Sequence, residues 1–230
     1  MPPLRDAEAA TELLRLMQLV SPSLPIGSFT YSQGLEWAVE AKWVVDADSL
    51  GQWVKTQIDT TLASVDLPLL YRMHTAMLRQ DSDALAHWTQ WLLASRETQE
   101  LRQEEAQRGR ALVALLGKLD VLAQEDDLET LKRCQAAGFA RAAVTWHIPT
   151  EQALLGYAWG WLENQILAGV KLIPLGQTEG QQCLQTLIPQ LATAVDHATG
   201  LDDADLGASA PALSIASSQH HFQYTRLFRS

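Results

Sequence analysis

Apolar residues recur along this chain every three or four positions, the period of a helix with one face turned inward. Leu13, Leu14, Leu16, Met17 and Val20 form the first such stripe, which stops at a proline-rich loop. Beyond the loop, Leu35, Val39 and Trp43 mark a short helix. Ser49 followed by Gln52 has the spacing of a capping box, and Leu50, Trp53, Val54, Ile58 and Leu62 follow at helical intervals. Asp66 is placed to cap a next helix with Pro68 in its first turn, and Leu67, Leu70, Tyr71, His74, Met77 and Leu78 share one face of it. Another helix is expected from near Asp83, turning Leu85, Trp88 and Leu92 inward. From Glu97 to Gly109 the pattern becomes densely charged. Glu104 and Arg108 stand four apart in the favourable order, and the same helix turns apolar at Leu112, Leu115 and Leu116. Acids at Glu125, Asp126, Asp127 and Glu129 suit the start of a helix through Leu131 and Ala137. The longest buried helix is predicted after Pro149-Thr150, because Leu154, Leu155, Tyr157, Ala158, Trp161, Leu162 and Ile166 leave it little polar face. Gly156, Gly160 and Gly169 would let other helices approach it closely. A last helix runs from about Thr178 to Asp196. Nothing alternates with period two over a useful length, and no repeat appears. The expected fold is all-α, a single compact helical domain.

The loop that interrupts the first stripe is unusual for a connector. Pro22 and Pro25 fix φ and remove two amide donors, while Gly27 and Gly34 permit angles closed to other residues. Yet the segment also holds Leu24, Ile26, Phe29, Tyr31 and Leu35, more apolar surface than a solvated loop needs. It is a shaped loop packed either on the core, as a structural turn, or on a partner, as a recognition surface.

Charge and composition narrow the functional classes. A formal net charge of −10 on 230 residues argues against non-specific binding to nucleic acid. The 47% apolar content is enough for a full core, and no Ser/Gly-rich linker separates Leu13 from Leu201. Residues 1–206, including the loop at 21–34, are therefore read as one helical domain. Residues 207–230 are read as a flexible C-terminal tail. The two cysteines, Cys134 and Cys183, lack the spacing of a metal or redox pair and read as free thiols. The first residues carry acids at Asp6, Glu8 and Glu12 and no basic-then-apolar leader, and no apolar run is long enough to span a bilayer. A cytoplasmic protein without membrane contact is expected.

Enzyme signatures are missing. No phosphate-binding loop of the Gly-x-x-x-x-Gly-Lys-Ser/Thr type, no Gly-x-Ser-x-Gly elbow and no His-Glu-x-x-His occurs. His74 falls on an apolar helix face and reads as a core histidine, His147 reads as loop, and His87 and His197 have no second ligand at helical spacing. His220 and His221 are adjacent, and on an extended chain neighbouring side chains point apart. Lys171 stands alone as a charge between Glu163 and Glu179, among Ile166, Leu167, Val170, Leu172 and Ile173. It is either a lysine reaching back to water near a helix end closed by Pro174 and Gly176, or a contact for an acidic partner group. From Leu206 to Ser230 there is no acid, and the chain ends with Arg226 and Arg229 flanking Leu227 and Phe228. Such an ending is either frayed or a docking peptide.

Five blocks, in order, resemble the urease accessory protein F family. They are Leu16 to Glu36; Val65-Asp66-Leu67-Pro68-Leu69; Arg96-Glu97-Thr98 with Glu100-Leu101-Arg102 and Glu104-Glu105; Gly169 to Pro174 with Gly176-Gln177; and Tyr224 to Ser230. The resemblance covers nearly the whole chain. It implies a dimeric, non-enzymatic helper in urease maturation that bridges two partners. One is the accessory protein D or H, which contacts apo-urease. The other is the accessory GTPase G, which delivers nickel. On this reading the nickel and GTP belong to those proteins and no cofactor is bound by this chain. The resemblance places partner contacts at Phe29, Tyr31, Gln33 and Glu36 in the loop and at Lys171 and Gln177 for the GTPase. It places those for the D/H protein at Tyr224, Arg226, Leu227, Phe228 and Arg229. His221 departs from the family, where that position is more often acidic. The stretch from Arg96 to Glu105 reads as a solvated helix face and a secondary interface. Two other functions compete: a GTPase-activating protein inserting Arg96, Arg102 or Arg108 toward phosphate, and a nickel carrier using His220 and His221.

Overall fold

In chain order, the residues described by the computed structural model, 7–230, form α1 (Ala7–Leu19), α2 (Leu35–Glu40), α3 (Ala47–Gln57), a π-helical segment (Ile58–Asp66), α4 (Leu67–Leu78), α5 (Ser82–Ser95), α6 (Gln99–Lys118), α7 (Leu128–Leu131), α8 (Gln135–Thr145), α9 (Thr150–Leu172), α10 (Gln177–Gly200) and α11 (Pro211–His220). Short 3₁₀ turns occupy Ser28–Thr30 and Asp203–Asp205, and no strand occurs among the described residues. The all-α expectation holds.

The near-absence of a polar face explains why α9 is central: it packs on α10, α4, α2, α1, α3 and α8. Close approach depends on its small residues. A Cβ on Gly156 would stand 2.5 Å from Leu16 Cδ1, and one on Gly169 would stand 2.5 Å from Leu50 Cδ2. One continuous core holds Leu35, Leu50, Ile58, Leu69, Leu112, Phe139 and Leu154 together, so residues from α2 to α9 share it.

Several local expectations are corrected by the packing. The first turn of α3 is capped by Asp46, three residues before the predicted Ser49. Asp46 accepts from the Ser49 amide at 2.9 Å, and Ser49 Oγ accepts from the Asp46 amide at 3.1 Å. Asp66 caps nothing. The chain enters α4 directly from the π segment with Asp66 in helical geometry, and its carboxylate turns to Arg96 instead. The helix expected from the acids through Ala137 is two helices, because the chain bends at Lys132 and Cys134 where their backbone lies against Gly109 of α6. His74 is a buried core histidine, as the periodicity indicates.

The largest departures lie in the charged stretch and at the C-terminus. Glu104 and Glu105 are buried, so the segment from Arg96 to Glu105 is not a solvated face. Residues 211–220 form a helix, with Pro211 at its first position and Leu213, Ala216, Ser217 and His220 turned inward. Of the residues after it, Gln223, Phe228 and Ser230 are buried and the others are exposed. The last residues of the tail are held by hydrogen bonds to the proline loop.

Candidate partner-binding surface

The proline loop reverses the chain between α1 and α2 and buries Ile26, Tyr31, Ser32 and Leu35 while leaving Phe29 55% exposed. The loop therefore packs on the core at these residues and leaves Phe29 outside it. Tyr31 Oη donates to Gln107 Oε1 at 2.6 Å, and the Tyr31 carbonyl accepts from Asn164 Nδ2 at 3.1 Å, tying the loop to α6 and α9. Gln33 adopts φ of 52° and reaches inward. Its amide donates to Glu104 at 2.9 Å, and its carbonyl accepts from Trp161 Nε1 at 2.8 Å and Gln165 Nε2 at 3.1 Å. Gly34 follows at φ of 80°, where a Cβ would meet Ala216 Cβ and the Ser217 amide nitrogen, each at 3.0 Å. Only glycine meets both conditions, the backbone angle and the contact with α11.

The tail completes this network. The Ser230 carbonyl accepts from the Ser32 amide at 2.8 Å and from Ser32 Oγ at 2.5 Å, and the Arg229 amide donates to the Thr30 carbonyl at 2.7 Å. Ser230 Oγ donates to Glu104 at 3.0 Å. Glu36 is the anchor. It accepts from the amides of Leu227 at 2.6 Å and Phe228 at 3.0 Å, and it faces His220 Nε2 at 3.0 Å. Phe228 is buried as a result. Lys171, exposed at the end of α9, sets its ammonium 5.9 Å from the ring centre of Phe29 and 5.8 Å from that of Phe228. Both distances suit a cation–π contact. Elsewhere on the tail Phe222, Tyr224, Arg226, Leu227 and Arg229 are exposed, Tyr224 completely.

Urease accessory protein UreF of Alcanivorax borkumensis is 50% identical over 222 residues, which cover 94% of this chain and 97% of that protein. The UreF family profile matches residues 44–188. The chain belongs to the UreF family. The same description attaches to relatives from Pseudomonas putida, 50% identical over 95% of this chain and 97% of the relative, and from Alkalilimnicola ehrlichii, 44% identical over 94% and 95%.

Of the residues that the UreF resemblance implies as contacts, Phe29, Lys171 and Phe228 lie together, Arg226 and Arg229 line a groove with Glu100, and Tyr224 and Leu227 are exposed on the tail. Tyr31, Gln33, Glu36 and Phe228 are turned inward and act as the framework of the loop–tail junction. Gln177 is the first residue of α10, exposed, and joins none of the loop–tail hydrogen bonds.

Two residues proposed as arginine fingers are occupied. Arg96 pairs with Asp66 and, at 2.5 Å, with Glu105, and Arg108 pairs with Glu104 at 2.7 Å. Burial works against both guanidiniums, but the adjoining carboxylates more than offset it, so both stay firmly charged. Burial likewise pushes Glu105 up, yet Arg96 and Arg108 outweigh it and hold its carboxyl below the usual range. At Asp66 burial wins and the carboxyl is raised. An arginine locked between buried carboxylates cannot swing to a partner's phosphate. Arg102 is exposed and donates to the Arg96 carbonyl.

The histidine pair is not on extended chain, as the sequence argument assumed: His220 ends α11 and His221 follows in helical geometry, with His220 wholly buried between Glu36 and Glu100 and His221 exposed, 3.9 Å from Glu100. Among the described residues, no group of three or more His, Cys, Asp or Glu side chains is arranged to hold a metal ion. No helix among them is long and apolar enough to cross a membrane. Reading the sequence missed Glu100, Gln107, Ser32, Trp161 and the anchoring role of His220. The signal for His220 was available: Leu213, Ala216, Ser217 and His220 form a helical stripe directly after Pro211.

Proposed function

We propose that this chain is a cytoplasmic, non-enzymatic scaffold that joins the accessory D/H protein to the accessory GTPase G during GTP-dependent nickel insertion into apo-urease. The observation that carries this reading is the loop–tail junction, where Phe29 and Lys171 and the exposed side chains of the tail surround a hydrogen-bonded internal framework. Arginine and aromatic side chains on a preorganised base are what binding hot spots use. Phe29 and Lys171 serve the GTPase side, with Gln177 beyond them. Tyr224, Arg226, Leu227 and Arg229 serve the D/H side. Phe228 contributes through the fold, by holding the tail in place. A scaffold of this kind couples nucleotide state to nickel release if it binds one state of the GTPase better than another.

Homodimerisation has its own support. Leu13, Leu14 and Met17 of α1 are exposed beside a groove lined by Val20, Leu155 and Trp159. A contiguous apolar face of this kind suits a second protein surface.

The test is size-exclusion chromatography with light scattering on this chain mixed with the D/H protein. Tyr224→Ala combined with Leu227→Ala removes exposed side chains and leaves the Glu36 anchor intact, so the variant should remain folded but lose the complex. A complex that survives both this variant and deletion of residues 224–230 would move the interface to the helical body. No complex with the unaltered chain, both proteins folded, would refute the bridging role.

A further inference from the structure

Residues three and four apart share one side of a helix. Along α6, Gln99, Gln103, Gln107, Arg110, Ala114 and Lys118 do so, and all of them are exposed. No acid falls on this stripe. Glu104 and Glu105 point the other way, buried against Arg108 and Arg96. On a chain of net charge −10, an outward face of amides and cations stands apart from the rest of the surface.

The end of the chain supplies a facing wall. Arg229 donates to Gln107 Oε1 at 3.4 Å, which seats it on the stripe. Gln99 and Gln103 line a groove of about 510 Å³ together with Phe222, Arg226 and Arg229. The two acids of this groove are already engaged. Glu97 Oε1 accepts from Ser209 Oγ at 2.6 Å, and Glu100, 13% exposed, lies 3.2 Å from His220 Nδ1 and 3.9 Å from Arg226 Nη1. Arg110 and Arg229 form no ion pair among the described residues.

We propose that this groove, continued along α6 to Arg110, is a docking track for an acidic segment of a protein partner. From Gln99 to Arg110 the helix rises about 16 Å, the length of about five residues of extended chain. Glutamine side chains offer a passing backbone both donors and acceptors, and guanidinium groups take carboxylates through two parallel hydrogen bonds. Phe222, 76% exposed, gives the track an apolar end. A phosphate backbone would meet the same arginines, but the net charge of −10 repels a polyanion of that density. Naming the D/H protein as the partner rests on the bridging role proposed above; the track itself does not.

The experiment uses the full chain, labelled with ¹⁵N and titrated with a short peptide alternating glutamate and glycine. Shifts are expected in the side-chain amides of Gln99, Gln103 and Gln107 and in the guanidinium signals of Arg110 and Arg229. Arg110→Glu should weaken binding by about tenfold at low salt. That deficit should shrink as salt is added, because the screening length falls from about 30 Å at 0.01 M to about 8 Å at 0.15 M. Arg79→Glu makes the same charge change at an exposed position just past α4 and outside the groove, and should leave binding unaltered. Equal weakening by both variants, shifts that miss the three glutamines, or tighter binding of an oligothymidylate of the same length would overturn the proposal. So would a complex with the D/H protein that Arg110→Glu does not weaken. If the unaltered chain forms no complex with the D/H protein, the bridging role fails alone, and the peptide titration still decides the track.

Discussion

Replacing Arg96 by Met tests whether the buried charges are part of the framework. Arg96 reaches Asp66 and Glu105 from a site where all three side chains are at most 14% exposed. Methionine fills much of the same volume and leaves two buried carboxylates without their shared cation. Breaking a buried ion pair from one side costs about 3–5 kcal/mol, because the remaining charge is desolvated and unpaired. With a urea dependence of about 3 kcal/mol per molar for a chain of this size, the unfolding midpoint should fall by roughly 1–2 M. Tryptophan fluorescence and far-ultraviolet circular dichroism would follow the transition. The loss must also depend on pH. In the wild type, Glu105 is held below its ordinary value of 4.5, so its contribution is present above that value and disappears as pH falls through the folded-state value. Asp66 is raised above 3.8 even beside Arg96, and without the guanidinium its burial is unopposed. The deficit of the variant should therefore be greatest at neutral pH and shrink as both carboxyls take up protons. A loss below about 1 kcal/mol, or one as large in acid as at neutrality, would refute the reasoning. The first of those outcomes would also return Arg96 to the pool of arginines free to act in trans.

Two further outcomes follow from particular sites. Gly34→Ala adds a Cβ 3.0 Å from both Ala216 Cβ and the Ser217 amide at a φ of 80°, so α11 must shift. A cost of about 1–3 kcal/mol is expected, with amide exchange quickening first in residues 211–220; exchange that stays unchanged there would count against the close contact. Burial holds His74 below its ordinary 6.5, its Nδ1 faces Thr150 Oγ1 at 3.3 Å, and its Nε2 has no partner among the described residues. The stability linked to this ring is complete above 6.5 and is lost as pH falls through the folded-state value, at up to about 1.4 kcal/mol per pH unit. Urea unfolding of His74→Leu should be less sensitive to pH between neutrality and mild acid than the wild type, and equal slopes would show that another group carries the dependence.

Much of the fold was legible because it is local. A helix with almost no polar face, Thr150–Leu172, has few places to go except the centre, and the sequence from Leu154 to Ile166 states as much. Glycines at 156 and 169 could be read as points of close approach, although not as points of contact with Leu16 and Leu50. The loop announced both its shape and its excess apolar surface. The candidate surface was legible only in part: the residue types were visible, but not which of them face outward. Burial of Glu104 and Glu105 was hidden because a dense run of charges has the same pattern whether it meets water or its own counter-ions. The partner that decides the matter, Asp66, lies 30 residues from Arg96.

By itself, then, the sequence determined the helical periods, the breaks at prolines and glycines, and the aromatic and cationic groups of the loop and the tail. These depend on steric limits and side-chain chemistry within a few residues. Only the tertiary structure decided that the tail is docked, that Glu36 and Phe228 hold it from within, and that Lys171 sits between Phe29 and Phe228. Those outcomes rest on contacts such as Glu36 with His220, 184 residues apart. No local propensity encodes such a pair, because its energy exists only after the helices between have packed and excluded water from the site.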